Sequence, residues 1–283
     1  MLTARRVFER GWSRMKLYFM IGLPTEEDED VRGICQTGGR ARDIGRTLQS
    51  GRAPQVPVSV SIHVPKPHTP FQWCAMDEPG TVRTKQAWLR EEATAARVKL
   101  RMHDSEGSWL EGILARGDRT LCDVIEHAWN AGARFDSWDE QLRMDAWKSA
   151  FEACGVDTRI FLGTLPVTAR LPWDHIDVGL ERGFLAREYR KALKNRLSPP
   201  CGKAVGMYVH HTNVRDAEAD ARRLVCYDCG VACDLSMMRE ERLDYLRDLG
   251  ADEPAVARPG PEGKAERKRR LPTIQVAQGE PKR

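Results

Sequence analysis

KLYFMIGLPTEEDEDV, residues 16–31, is a nearly continuous apolar run that breaks into a Gly-Leu-Pro turn and then an acidic segment. Short apolar runs of this kind form strands buried on both faces of a parallel sheet, so residues 16–22 are expected as an inner strand. An amphipathic helix is expected from Asp28 to Leu48, with Gly51 as its stop. In PVSVSIHVP (57–65) the alternation is strict: Val58, Val60, Ile62 and Val64 fall on one face, Ser59, Ser61 and His63 on the other. Strand, helix, strand is the repeating unit of an α/β fold, and a helix over 81–97 with a short strand over 98–102 extends it. Upstream, Leu2, Val7 and Phe8 stand at helical spacing before Gly11, so the chain opens inside a helix–turn–strand unit.

From 106 to 195 the texture changes to helices with glycine stops, expected over 106–116, 120–131, 139–154 and 181–196. Six of the eight tryptophans lie between Trp88 and Trp173, which predicts an aromatic packing core there. A Pro/Cys segment follows, then a helix over 235–249 and a tail rich in Pro, Gly and charge. The expected division is therefore 1–102 for the α/β part, 103–196 for a helical appendage, 197–250 for a cysteine-bearing segment and 251–283 for a disordered basic tail.

Charge locates the partners that can be set aside. The formal net charge is +4, from 45 Lys and Arg against 41 Asp and Glu. Residues 258–283 hold eight Lys and Arg against three Glu, a local +5, which leaves −1 on the rest of the chain. The body therefore gives no electrostatic footprint for nucleic acid. No apolar run approaches the roughly 20 residues of a membrane helix, and MLTARRVFERGW at the start has no apolar signal core. A cytoplasmic protein is expected.

The cysteines carry the clearest local chemistry. PPCGK (199–203) and VCYDCGVAC (225–233) supply Cys201, Cys226, Cys229 and Cys233. A C-x2-C pair on a turn lets two sulfurs reach one ion, Gly230 gives that turn its freedom, and four thiolates close a tetrahedral site. Zinc and an auxiliary iron–sulfur cluster both suit such a set, and His210 or His211 could replace Cys201. Cys35, Cys74, Cys122 and Cys154 stand alone and are expected as small core residues. Asp174, His175 and Asp177 crowd PWDHIDVG (172–179), where local turn and capping chemistry is favoured over acid–base work.

Several of these pieces together carry a resemblance. KLYFMIGLPTEEDEDV resembles the fifth-strand motif of radical S-adenosylmethionine (SAM) enzymes, and VPKPHTPFQW (64–73) resembles the segment after the sixth strand of the same barrel. With RGDR (116–119), GARFDSWDE (132–140) and PWDHIDVG, the chain resembles, over residues 1–235, the C-terminal part of an uncharacterised family with a cobalamin-binding-type domain, a radical SAM barrel and a cysteine-bearing end. The resemblance implies a partial barrel in which Ile21 and Gly22 line the SAM adenine and Leu23 and Pro24 make the turn. It also implies SAM, a 4Fe-4S cluster and cobalamin as cofactors of the full-length family. His63 and His68 would flank a Pro-rich loop at the barrel mouth, where loop histidines are more often surface residues than catalytic ones. The chain departs from the family in lacking the C-x3-C-x2-C triad that holds the cluster; Cys226, Cys229 and Cys233 run in the reverse order. A truncated gene product, or a half that needs an N-terminal partner carrying the cluster and the cobalamin domain, is the expectation. The resemblance supplies neither substrate nor reaction. The rival expectation is a non-catalytic cysteine-knuckle module whose basic tail, KAERKRR (264–270), engages RNA or an acidic partner.

Overall fold

The computed structural model describes residues 1–49, 54–198 and 200–253. Gly51 and residues 254–283, which include most of the expected tail, lie outside them. The described residues fall into two compact units, one within 1–198 and 229–231, the other within 199–228 and 232–283; position 102 lies inside the first.

The first unit opens with α1 (Leu2–Glu9), then β1 (Leu17–Ile21), α2 (Asp28–Leu48), β2 (Val58–Ile62), α3 (Pro79–Ala95) and β3 (Leu100–Met102). The strands form one parallel sheet in the order β1-β2-β3, with Phe19 opposite Val60 and Val60 opposite Met102. It is an open sheet and does not close into a barrel among the described residues. Its α2 helix starts where the sequence turns acidic: Asp28, Glu29 and Asp30 complement the positive end of the helix, and the Glu27 N–H donates to Asp30 Oδ2 at 3.1 Å. Val31, Ile34 and Cys35 of α2 and Val82, Leu89 and Ala93 of α3 pack on Ile21, Val58, Val60 and Ile62. Close approach is set by Gly38, where a Cβ would fall 2.6 Å from Val58 Cγ2. Among the described residues α2 and α3 cover this face alone. Tyr18 and Met20, expected to be buried on the second face, are 74% and 42% exposed, because both helices lie on the side of Phe19 and Ile21.

A second layer comprises α4 (Ser105–Arg116), α5 (Leu121–Asn130), α6 (Met144–Ala153) and α7 (Arg159–Leu162), followed by α8 (Phe184–Ala192). Leu110, Ile113, Val124, Trp147, Phe151 and Phe161 make its core. The tryptophans divide among several clusters. Trp109 and Trp147 join this cluster, Trp88 packs against the sheet core and Trp173 against Trp73, while Trp129 and Trp138 are exposed. The helix expected from 139 begins at Met144, because turns occupy 136–142 and the Arg143 N–H donates to Asp136 Oδ1. Arg116, buried with 3% exposure, ties the layer to the sheet region: its Nη1 donates to the Cys74 carbonyl and its Nη2 to that of Gly163, both at 2.9 Å.

The second unit contains α9 (Val214–Ala219) and α10 (Leu235–Asp248) around a small core of Val214, Ala217 and Leu246. Residues 202–205 run antiparallel to 223–225, with the Gly202 N–H on the Val225 carbonyl and the Val225 N–H on that of Lys203. Ala251 and Asp252, assigned to the tail from sequence, are held in this unit by the Val214 and Arg215 N–H groups, which bond to their carbonyls.

Candidate functional site

The carboxyl ends of β1 and β2 converge on a buried polar cluster, at the end of a parallel sheet where α/β proteins place their ligands. Gly22 ends β1 with φ of +83°, a conformation that L side chains rarely adopt. Its N–H donates to both carboxylate oxygens of Glu26, at 2.9 and 3.1 Å. The turn between them is closed by the Glu26 N–H on the Leu23 carbonyl and contains Thr25 at φ of +66°. From α3, Lys85 Nζ donates to Glu26 Oε1 and to Asp77 Oδ2, each at 2.7 Å. The side chains of Glu26 and Lys85 are 7% and 13% exposed. Burial alone would pull the Lys85 ammonium down, but Asp77 and Glu26 outweigh it and hold the group charged, with its pKa raised. A Cβ on Gly22 would sit 3.2 Å from Asp77 Oδ2. Glycine at this position therefore serves both the turn and the ion cluster.

His63 stands beside this cluster, immediately after β2. Its N–H donates to the Ile21 carbonyl at 2.8 Å, its ring meets Phe71 edge-on at 5.7 Å, and its Nδ1 is buried with no partner among the described residues. It is 5% exposed, not the surface residue expected of a loop histidine, because the segment after β2 brings Phe71 over it. Burial lowers its pKa, opposed by the Gly22 backbone and the carboxylates of Asp77 and Glu26. A neutral imidazole beside two carboxylates and one ammonium can accept or donate a hydrogen bond, and carries no charge of its own there.

The sequence-chosen residues separate as follows. Ile21 is buried in the helix-covered core, so its contribution to the strand end is its carbonyl. Gly22 joins the polar cluster, Leu23 is exposed and Pro24 half-buried. His68 has φ of +55°, and its N–H donates to Gln72 Oε1, which also accepts from Trp173 Nε1. Asp174, His175 and Asp177 make turn contacts: Asp174 Oδ2 accepts the Leu171 N–H, His175 Nδ1 meets the Pro172 carbonyl and Asp177 Oδ1 accepts the Gly179 N–H. Glu26, Asp77 and Lys85 were not singled out. Glu26, four residues after a turn glycine, had a local signal; Asp77 and Lys85 had none.

Cys35 and Cys74 are buried as expected of core thiols, and burial pushes Cys35 up to about 11 with Glu92 adding to it. Cys122, expected in a core, is exposed, because it lies on the outer side of α5 away from Leu121 and Val124. Cys201, Cys226 and Cys233 belong to the second unit, and Cys229 to the first, where the Glu181 N–H donates to its carbonyl. Cys226 Sγ lies 3.6 Å from Asp228 Oδ1. Among the described residues no three His, Cys, Asp or Glu side chains are grouped as a metal ion requires, and no chemistry is derived through these thiols.

No family model and no solved structure matches the chain. It is similar to an uncharacterized protein of Methanocaldococcus jannaschii, MJ0966, at 26% identity over 152 residues, which cover 54% of this chain and 32% of that protein. The match thus spans about a third of that relative's length.

Proposed function

We propose that this chain supplies the nucleotide-side section of a radical SAM protein, working with a further polypeptide that carries the 4Fe-4S cluster and the cobalamin domain. What carries the reading is the sheet: three parallel strands in chain order, helices on one face, and an apolar pair, Tyr18 and Met20, open on the other. Parallel sheets are ordinarily covered on both faces. A section of a barrel has this form, with its inner face waiting for further strands and for ligand. SAM, when bound, would supply the radical precursor. This chain's part is to hold the nucleotide at the end of β1, with Gly22 giving close backbone approach and the neutral His63 offering a hydrogen bond. The cluster ligands are outside this sequence, so radical generation is not assigned to it. The reading places the chain in the cytoplasm; among the described residues no helix is long and apolar enough to cross a membrane.

The test is amide protection mapped on the full chain with and without millimolar SAM. Protection is expected at residues 20–26 and 63–72, and Gly22→Val should remove it. SAM that perturbs neither segment overturns the reading, as does 5′-deoxyadenosine formed by this chain alone after anaerobic iron–sulfide reconstitution.

A further inference from the structure

The second unit contains a half-open pocket of about 310 Å³ between the 202–211 segment and α10. Part of its wall is apolar, from Met207, Val209 and Met238, and part is cationic, from Arg239 and Arg242. The cations are the informative part. The cavity's buried carboxylate, Asp220, is fully engaged: Arg222 Nε and Nη2 reach its two oxygens at 2.8 and 2.7 Å, and His211 Nε2 lies 2.8 Å from Oδ2. Those contacts hold Asp220 far below the usual carboxylate range, so its charge is already compensated.

Arg239 donates to the carbonyls of Asp220 and Arg222. Arg242 Nη2 donates to the His211 carbonyl at 2.7 Å, its guanidinium lies 5.3 Å from the Tyr245 ring centre, and its Nε is buried with no acceptor among the described residues. Carbonyls orient a guanidinium but leave its charge in place. Among the described residues neither arginine pairs with a carboxylate; Glu241, which also lines the cavity, is exposed and pairs with neither. His210 registers the surplus: burial first, then Arg242, Lys203 and His211, lower its pKa.

We infer that this cavity binds a small organic anion, a carboxylate held by Arg242 and Arg239 with an apolar body against Met207, Val209 and Met238. A guanidinium fork matches a planar carboxylate in geometry as well as charge, and a mainly apolar pocket with two arginines in its wall selects against inorganic anions and neutral hydrocarbons alike. The inference does not depend on SAM chemistry in the first unit.

The probe is hexanoate, titrated calorimetrically into the full chain, with hexanol and inorganic phosphate as comparison arms. Hexanoate should bind about tenfold or more tightly than either, and Arg242→Gln should weaken it by a similar factor, as expected for loss of a charge-assisted hydrogen bond. If Arg242→Gln does not fold, Val209→Trp at the cavity rim, where residue 209 is 63% exposed, fills the space and leaves both arginines in place; it should abolish hexanoate binding. Equal binding of hexanol, phosphate binding as tight as hexanoate (an anion hole without an apolar subsite), or hexanoate binding unchanged in the folded variants overturns the inference, as does absence of hexanoate binding at millimolar concentration.

Discussion

The two faces of the β1-β2-β3 sheet are built from alternate residues of the same strands, yet only one is a core. On the helix side Ile21, Val58, Val60 and Ile62 are buried; on the other, Ser59 and Ser61 are half-buried while Tyr18, Met20 and Arg101 are exposed. In β2 composition and burial agree, since valine and isoleucine face the helices and serine does not. In β1 they disagree. Among the described residues Lys16 lies over the Tyr18 ring, its Nζ 4.7 Å from the ring centre, but both side chains stay exposed, and that apolar surplus is the property the proposed barrel section would use.

Substitutions can break this contrast or sharpen it. Ile21→Ala should lower stability by about 2–5 kcal/mol through lost burial and a residual cavity, read from a urea midpoint; a loss below 1 kcal/mol would mean that the covered face is not a packed core. Lys85→Met should cost about 2–3 kcal/mol, because Glu26 would keep a largely buried charge without its cation. Retained stability there would show that the cluster relaxes into solvent.

His63 gives a smaller, pH-dependent effect. Its folded pKa lies below the ordinary 6.5, so below pH 6.5 the unfolded chain takes up a proton that the folded chain refuses. Its contribution to stability is complete above that pH and is lost as the pH falls toward the depressed folded value. His63→Gln should therefore flatten the fall in unfolding free energy between pH 7.5 and 5.5; an unchanged slope would assign the dependence to other groups. On the open face, Met20→Ser should change stability by no more than about 0.5 kcal/mol, and a larger loss would reveal packing on that face.

What the sequence made legible follows the range of the interactions. The strict alternation of 57–65 and the acidic start of α2 are local; α2 begins at its acidic segment, and β2 occupies Val58–Ile62 within the alternation. The exposure of Tyr18 and Met20 was not legible, because an apolar residue in a strand does not announce whether its second face has a cover. Nor was the burial of His63, which depends on Phe71 folding back over it. Lys85 lies 59 residues from Glu26, and no spacing rule spans that distance. For the cysteines, the knuckle spacing of 226–233 was visible, but spacing is blind to Cys229 bonding with the 181 region.

Arg116 has a consequence for how the first unit opens. Its guanidinium bridges the carbonyls of Cys74 and Gly163, while Leu162 packs on both the sheet core and the helical core. Releasing α4 would strand two carbonyls and bare Leu162 on the sheet side, so the helices have no inexpensive way to peel off alone. α4 and the sheet should therefore share an opening event, and native-state amide exchange should give the slowest protons of α4 and β2 a common free energy.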